Sequence, residues 1–239
     1  MSDISPVCAL LPLKAPAAGK SRLSSVLSSI ERQQLSLAMF EDVLDALLES
    51  ELIDAVAVLT TDPTITKLAT ARGCSVYQED MSLPYEQRLA GVAKELENQG
   101  FGTLLYVAGD LPCLKMSDIE ELLNDYSGGV TVCVATADDG TNGLVCSPPT
   151  AITPEFGAPS RERHLRTAYK KGLTARSIEI AGFALDVDRL PDLINAAKSK
   201  ATGPRTRSVL RGLHLDLDAF PDFCAALTGK SLTSCGIDG

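Results

Sequence analysis

The segment "GTLLYVAGDLP" (residues 102–112) joins a run of apolar residues directly to an acidic turn. Such a run, bounded by turn residues, is typical of a strand buried on both faces of a sheet. Asp110 stands at the carboxyl end of this strand, where open α/β sheets bind their ligands. A carboxylate there is a natural ligand for Mg²⁺, which proteins hold through one or two carboxylates and the phosphates of a substrate. The alternative is an Asp that only caps a turn.

Strands and helices alternate on both sides of this segment. Further strands are predicted at 7–13, 53–62, 74–80 and 129–138, and helices at about 30–49, 63–72, 86–98 and 117–126. This alternation indicates an α/β fold with a mostly parallel central sheet, covered by helices on both faces. The loops that follow the strands are therefore the places to search for a site.

Composition excludes several classes of protein. The chain has 239 residues, of which 45% are hydrophobic, and a formal net charge of −9. That charge argues against a nonspecific nucleic-acid binder. Seven scattered cysteines and two histidines predict neither a disulfide framework nor a zinc site. No secretory leader and no apolar run of 18 residues is present, so we expect a soluble cytoplasmic protein that makes no membrane contact.

The first predicted strand is followed by a basic loop that contains Lys14, Lys20 and Arg22. Gly-Lys-Ser at 19–21 resembles the end of a Walker A phosphate loop. That motif needs a glycine where Lys14 stands, and Pro16 removes a backbone donor from the middle of the loop. Both features argue against a P-loop. A different phosphate-handling loop and a solvated basic turn remain open.

Paired acids occur near the C-terminus. In "LDVDRLPDL" (185–193), Asp186 and Asp188 alternate with a valine, so an extended backbone directs both carboxylates to one face. Two acids on one face repel each other unless a cation lies between them. The similar segment "LDLDAFPDF" (215–223) has the same Asp-x-Asp spacing. By this argument alone, its two acids are equally good candidates for the same role.

A second candidate anion site lies in "FGAPSRERHLRTAYKK" (156–171). Ser160 is predicted to be the N-cap of a helix whose N-terminus faces an anion. Arg161, Arg163 and His164 in the first turn oppose the helix dipole, which favours an anionic ligand that offsets them. A solvated basic helix is the alternative.

The segment "DDGTNGL" (138–144) reads as a turn-rich loop after a strand. The Thr141 hydroxyl and the Asn142 amide could hydrogen-bond a substrate, or they could only close the turn.

Taken in order, these segments resemble the 2-phospho-L-lactate guanylyltransferase family, which makes the guanylylated precursor of the deazaflavin coenzyme F-420. The matching motifs are "PLK" with "GKSRL", "LAMFEDVLDAL", "GDLP", "GTNGL", "FG-x-x-S-x-x-x-H", "LDVD-x-x-x-DL" and "GPRTR". The resemblance implies a three-layer, Rossmann-like nucleotidyltransferase fold of the GlmU/MobA-like type. We expect this domain over residues 1–207, with 208–239 as a C-terminal extension packed on it.

The resemblance also implies a reaction and a set of residues. A phosphate oxygen of 2-phospho-L-lactate, phosphoenolpyruvate or 3-phosphoglycerate attacks the α-phosphorus of GTP, pyrophosphate leaves, and Mg²⁺ is the cofactor. The implied catalytic and nucleotide-binding residues are Lys14, Lys20 and Arg22, and Asp80 is implied to bind the nucleotide as well. The implied acid-binding residues are Thr141, Gly157, Ser160 and His164. The implied metal ligands are Asp110, Asp186 and Asp188.

Two other functions remain to be weighed. A related nucleotidyltransferase could use another acceptor, such as a molybdopterin, but the "FG-x-x-S-x-x-x-H" segment argues against it. A non-catalytic nucleotide-binding module is disfavoured because Asp110, Asp186 and Asp188 are all intact. The expected partners are GTP and the phosphorylated acid, with a homodimer as one possible assembly.

Overall fold

The computed structural model describes residues 5–13, 20–157 and 159–213. Its centre is a seven-stranded sheet in the order β3-β2-β1-β4-β6-β5-β7. The strands are β1 Val7–Pro12, β2 Ala55–Thr60, β3 Ser75–Gln78, β4 Thr103–Val107, β5 Gly129–Ala135, β6 Gly140–Ser147 and β7 Ala175–Ile178. The helices are α1 Ser29–Glu49, α2 Pro63–Ala71, α3 Tyr85–Asn98, α4 Met116–Asn124, α5 Ser160–Lys170, α6 Ala181–Ala184, α7 Leu190–Lys198 and α8 Pro204–Gly212.

The sheet is mostly parallel, as the alternation of strands and helices predicts. The exception is β6, which pairs antiparallel with both β4 and β5. The loop predicted at 138–144 is therefore wrong from Gly140 onward, because those residues form the buried start of β6. Only a tight turn precedes it, in which Asp139 adopts a left-handed φ of 60°. This strand could not be predicted from composition, because Gly, Thr and Asn are residue types typical of a loop.

Local signals fix the ends of the early helices. Ser28 and Glu31 form a reciprocal capping box at the start of α1, which satisfies two backbone donors that the helix leaves unpaired. Asp62 caps α2 by accepting hydrogen bonds from the N–H groups of residues 64 and 65. Gly73, just beyond that helix, has φ 79°, the left-handed conformation expected of a C′ glycine.

Helices cover both faces of the sheet, which confirms the three-layer architecture. Side chains of β4 alternate between the faces, as period-two geometry requires. Leu105 and Val107 pack in a core with Phe40 of α1, whereas Leu104 and Tyr106 pack in a second core with residues of α3 and α5. A third cluster joins α7 and α8 to α1 and to Leu23.

The C-terminal helix is tied to the body of the protein through a buried acid. Asp42 of α1 accepts hydrogen bonds from the backbone N–H groups of Arg205 at 3.1 Å and Thr206 at 2.8 Å. A carboxylate in this position satisfies free donors at the N-terminus of α8. The boundary expected after residue 207 falls inside α8. The rest of the extension, including the second acid pair at 216 and 218, lies outside the described residues.

None of the helices in the described ranges combines the length and the hydropathy needed to cross a bilayer.

Candidate active site

A cavity of about 310 Å³ opens at the carboxyl ends of β1 and β4. Its apolar wall comes from Leu13, Tyr85, Tyr106 and Phe156, and its polar wall from Lys20, Asp110, Thr141, Asn142 and Asp186. Most of these polar residues belong to the loops and strand ends that the sequence singled out. The cavity is therefore where the fold brings the separate motifs together.

Three acids from two distant segments meet at one side of the cavity. Carboxylate oxygens of Asp110, Asp186 and Asp188 all lie within 4.8 Å of one another. Asp110 follows β4, while Asp186 and Asp188 flank Val187, which is fully buried. The Val187 N–H donates to the Asp110 carbonyl at 3.3 Å, and this contact holds the two segments in register. Burial of the valine turns both flanking carboxylates to the same side, as the alternation predicts.

Lys20 supplies the main positive charge in this cluster. Its ammonium donates to a carboxylate oxygen of Asp110 and, at 3.0 Å, to Oδ1 of Asp188. Arg22 donates to Oδ2 of Asp188 at 3.2 Å. Burial acts to lower the pKa of Lys20, but attraction to Asp110 and Asp188 outweighs it and raises that pKa. The predicted partner Lys14 lies outside the described residues.

Asp186 has a different environment from the other two acids. The Asn142 amide donates to its Oδ1 at 3.2 Å and to the Phe183 carbonyl at 2.9 Å. Burial and then the charge of Asp110 raise the pKa of Asp186. For Asp188, burial acts to raise the pKa, but attraction to Lys20 outweighs it and the pKa is lowered.

This charge pattern suits a divalent cation. Lys20 and Arg22 contact Asp110 and Asp188, whereas in the described part of the chain no cation pairs with Asp186. Among the residues that the structure describes, three carboxylates against two cations leave an excess of negative charge, and oxygen ligands are those that divalent ions such as Mg²⁺ prefer. The donor set therefore fits a divalent metal ion.

Thr141, which lines the cavity, belongs to a buried network of three polar side chains. Ser160 Oγ donates to Thr141 Oγ1 at 2.9 Å, and His164 Nδ1 lies 3.1 Å from the same oxygen. The Glu155 backbone N–H donates to His164 Nε2 at 2.8 Å. Burial and then the charge of Arg163 lower the pKa of His164 to about 4. The imidazole is therefore neutral at physiological pH.

Two of the sequence predictions for this segment are wrong. Ser160 is not the N-cap: Pro159 holds that position, and Ser160 is the first residue of α5. Its hydroxyl is drawn to Thr141 instead of to the helix backbone. The argument from basic residues also fails, because Arg161 pairs with Asp139 at 2.8 Å. Protein acids offset that charge, so the basic residues do not by themselves require a ligand.

The remaining predicted residues lie farther from the cavity wall. His164 is 1% exposed, and both its ring nitrogens have hydrogen-bond partners within the protein, which argues against a direct contact with the substrate. Gly157 has φ 98°, and its carbonyl accepts from the Arg163 guanidinium. Asp80 is exposed in the loop before α3 and accepts from the Ser82 N–H at 2.9 Å. Among the described residues, neither Gly157 nor Asp80 lines the cavity.

The sequence did not single out two hydroxyl groups of the cavity wall. Tyr106 and Ser36 both line the cavity, and within the described residues their buried hydroxyl oxygens have no hydrogen-bond partner. Tyr106 stands in an apolar strand and Ser36 on an apolar helix face, so both follow core periodicity. The only available signal was a hydroxyl at a core position, four residues before Asp110 in the case of Tyr106.

The chain is similar in sequence to a known family of enzymes. The model of a family described as guanylyl transferase, CofC like, matches residues 7–222. A phosphoenolpyruvate guanylyltransferase of Sphaerobacter thermophilus is 34% identical over 197 residues, which cover 82% of this chain and 94% of the relative. A 3-phospho-D-glycerate guanylyltransferase of Phenylobacterium zucineum is 33% identical over 209 residues, which cover 86% and 95%.

Solved structures share the fold at low sequence identity. A putative nucleotide-diphospho-sugar transferase from Desulfovibrio desulfuricans superposes with a TM-score of 0.74 at 17% identity, covering 93% of this chain and 98% of that one. A CMP:2-keto-3-deoxy-manno-octonic acid synthetase complexed with CTP gives a TM-score of 0.53 at 16% identity, covering 80% and 96%. These likenesses establish the nucleotidyltransferase fold, and the family match adds the chemistry: the chain belongs to the CofC-like guanylyl transferases.

Proposed function

We propose that this enzyme transfers the guanylyl group of GTP to the phosphate of a phosphorylated three-carbon acid and releases pyrophosphate, in biosynthesis of the deazaflavin coenzyme F-420. The observation that carries the proposal is that two polar groups border one cavity. Lys20, Asp110 and Asp186 line it together with Thr141; Asp188 completes the acid cluster, and Ser160 and His164 hydrogen-bond to Thr141. A reaction that joins a nucleotide to a second anion needs two such polar groups.

The protein's contribution to this reaction is positioning and charge neutralisation, since phosphoryl chemistry requires little covalent participation. An oxygen of the acid's phosphate forms a bond to the α-phosphorus of GTP while the bond from that phosphorus to the β-phosphate oxygen breaks. Lys20 and Arg22 stabilise the negative charge that grows on the departing pyrophosphate. Thr141 holds the acid so that its phosphate faces the α-phosphorus.

Asp110, Asp186 and Asp188 would hold Mg²⁺. When bound, the ion polarises phosphoryl oxygens as a Lewis acid.

The names of the relatives support a three-carbon acid as acceptor and give no support to a molybdopterin. They differ in the acid, phosphoenolpyruvate in one case and 3-phospho-D-glycerate in the other. Pyrophosphate release should therefore be measured with GTP against phosphoenolpyruvate, 3-phosphoglycerate and 2-phospho-L-lactate in turn, with ATP and CTP as nucleotide controls. We expect turnover with GTP and one acid. Release that depends on no acid would contradict the proposal.

A matched pair of variants tests the proposed metal site. Asp110→Asn should lower kcat by on the order of 10²-fold, because a neutral amide is a poor Mg²⁺ ligand. The control is Asp125→Asn, which removes an exposed carboxylate paired with Arg176 at 2.8 Å outside the cavity. It should leave kcat within about twofold, as surface ion pairs contribute little. Near-normal activity of Asp110→Asn at millimolar Mg²⁺ would remove Asp110 from the site.

A further inference from the structure

The protons of the Thr141 network can be assigned from its heavy atoms. The Glu155 backbone N–H donates to His164 Nε2 at 2.8 Å. Nε2 therefore accepts through its lone pair and carries no proton. In a neutral imidazole the proton then lies on Nδ1. Nδ1 faces Thr141 Oγ1 at 3.1 Å. His164 is therefore the donor in this contact and the threonine oxygen is the acceptor.

Thr141 Oγ1 receives a second donor. The Ser160 hydroxyl donates to it at 2.9 Å, and Ser160 is fully buried. A hydroxyl oxygen has two lone pairs and one proton, so both lone pairs are in use. In the described part of the chain no other group hydrogen-bonds to this oxygen. Thr141 is one of the residues that line the cavity, so its own proton, for which the described residues offer no acceptor, is available to a ligand there.

We propose that His164 is a positioning residue that, together with Ser160, makes the Thr141 hydroxyl a fixed hydrogen-bond donor to the acid substrate. This inference rests on the proposed function for the identity of the ligand. A hydroxyl whose lone pairs are both occupied can serve only an acceptor, such as a carboxylate or phosphate oxygen. The network therefore selects an anionic group beside Thr141 and disfavours a donor such as an ammonium.

The low pKa of His164, about 4, keeps this arrangement at physiological pH. A protonated imidazole would present an N–H to the N–H of Glu155, and both donors would lose their acceptor. The contact of the His164 ring with Phe156, at 5.4 Å between centroids, holds the ring in place. Phe156 is itself part of the cavity wall.

Two substitutions of His164 separate the donor role from simple packing. In His164→Asn the side-chain amide can replace Nδ1–H as the donor to Thr141, and the Glu155 N–H loses its partner. In His164→Gln the amide oxygen reaches the position of Nε2, and Thr141 loses its donor. We expect the KM for phosphoenolpyruvate to rise by about 2- to 10-fold in His164→Gln and to stay within about twofold in His164→Asn. The KM for GTP should stay unchanged in both.

Thr141→Val gives the upper limit, because it keeps the shape and removes the hydroxyl. Its KM for the acid should rise by about tenfold or more. If phosphoenolpyruvate gives no turnover with the wild type, 3-phosphoglycerate and then 2-phospho-L-lactate take its place in the same titrations. Equal effects of His164→Asn and His164→Gln on the KM for the acid would overturn the inference, since packing alone would then explain both.

A second measurement does not depend on turnover. Long-range ¹⁵N–¹H correlation spectra of the imidazoles report which nitrogen is protonated, and His214→Gln assigns the signals because the chain has two histidines. His164 should show protonation at Nδ1 only, and no titration between about pH 6 and 8. A proton on Nε2 would overturn the inference and leave the proposed function intact. An enzyme that uses no acid would overturn the proposed function, and with it the assignment of the ligand.

Discussion

The Lys20 ammonium donates a hydrogen bond to Asp188 Oδ1 at 3.0 Å, across a sequence separation of 168 residues. The same ammonium contacts Asp110 at the end of β4. One buried cation thus ties the loop after the first strand to two acids from the middle and the end of the chain. Attraction to both acids raises its pKa despite burial, so Lys20 stays charged through neutral pH.

Lys20→Ala should therefore weaken the use of GTP more than the use of the acid. Removal of one charged group from a phosphate site costs on the order of 10²-fold in catalysis. We expect kcat/KM for GTP to fall by about that factor, with a smaller change in the KM for the acid. Arg22→Ala is the comparison, because the Arg22 side chain is 60% exposed and should matter less. Equal losses in both variants would mean that burial of Lys20 has no special role.

Most of the fold could be predicted from the sequence because the signals that specify its elements are local. The run before Asp110, the capping box at Ser28 and Glu31, and the glycine after α2 each specify one element without reference to the rest of the chain. Strand β6 could not be predicted from the sequence. Its residues are those of a turn, and only pairing with β4 and β5 makes them a strand. Tertiary pairing there overrides composition.

The candidate site divides in the same way. Asp110, Asp186 and Asp188 could be proposed from their positions at strand ends and on one face of an extended segment. The roles of Ser160 and His164 could not, because they depend on which atom of each side chain faces Thr141. A sequence specifies residue types at a helix start but not that Ser160 would donate to a neighbouring strand.

Two tyrosines test how a buried hydroxyl without a hydrogen-bond partner affects stability. Among the described residues the Tyr106 hydroxyl has no hydrogen-bond partner, whereas the Tyr126 hydroxyl donates to the Gly129 carbonyl at 2.8 Å. Tyr126→Phe should lower the free energy of unfolding by about 0.5–1.5 kcal/mol, and Tyr106→Phe should leave it unchanged or raise it. Urea denaturation of both variants measures this. An equal loss of stability in both would show that Tyr106 has a partner in solution.

The buried imidazole predicts a dependence of stability on pH. The pKa of His164 falls from 6.5 to about 4 in the folded protein. Between these values the unfolded chain binds a proton that the native state does not, so the free energy of unfolding decreases as the pH falls from about 6.5 to 4. The contribution that is lost is about 3 kcal/mol. The His164→Asn variant lacks the titrating group, so its free energy of unfolding should decrease less over the same pH range.

The measurement is urea denaturation of wild type and His164→Asn at pH 7.5 and pH 4.5. Acidic residues titrate in both proteins, so the difference between the two proteins isolates the histidine. That difference should shift in favour of the variant as the pH falls. If it stays constant between the two pH values, His164 does not have a depressed pKa.

The two Asp-x-Asp pairs make opposite predictions for Asp188 and Asp218. Asp188 contacts Lys20 and Arg22 and lies within the cluster of three acids, whereas Asp218 belongs to the similar segment (215–223) beyond the described residues. Asp188→Asn removes both a metal ligand and the charge that holds two cations. It should lower kcat by on the order of 10²-fold and raise the Mg²⁺ concentration needed for half-maximal rate. Asp218→Asn should leave both quantities within about twofold. Steady-state rates across a Mg²⁺ titration decide between the pairs, and an essential Asp218 with a dispensable Asp188 would mean that the C-terminal acids have been assigned to the wrong segment.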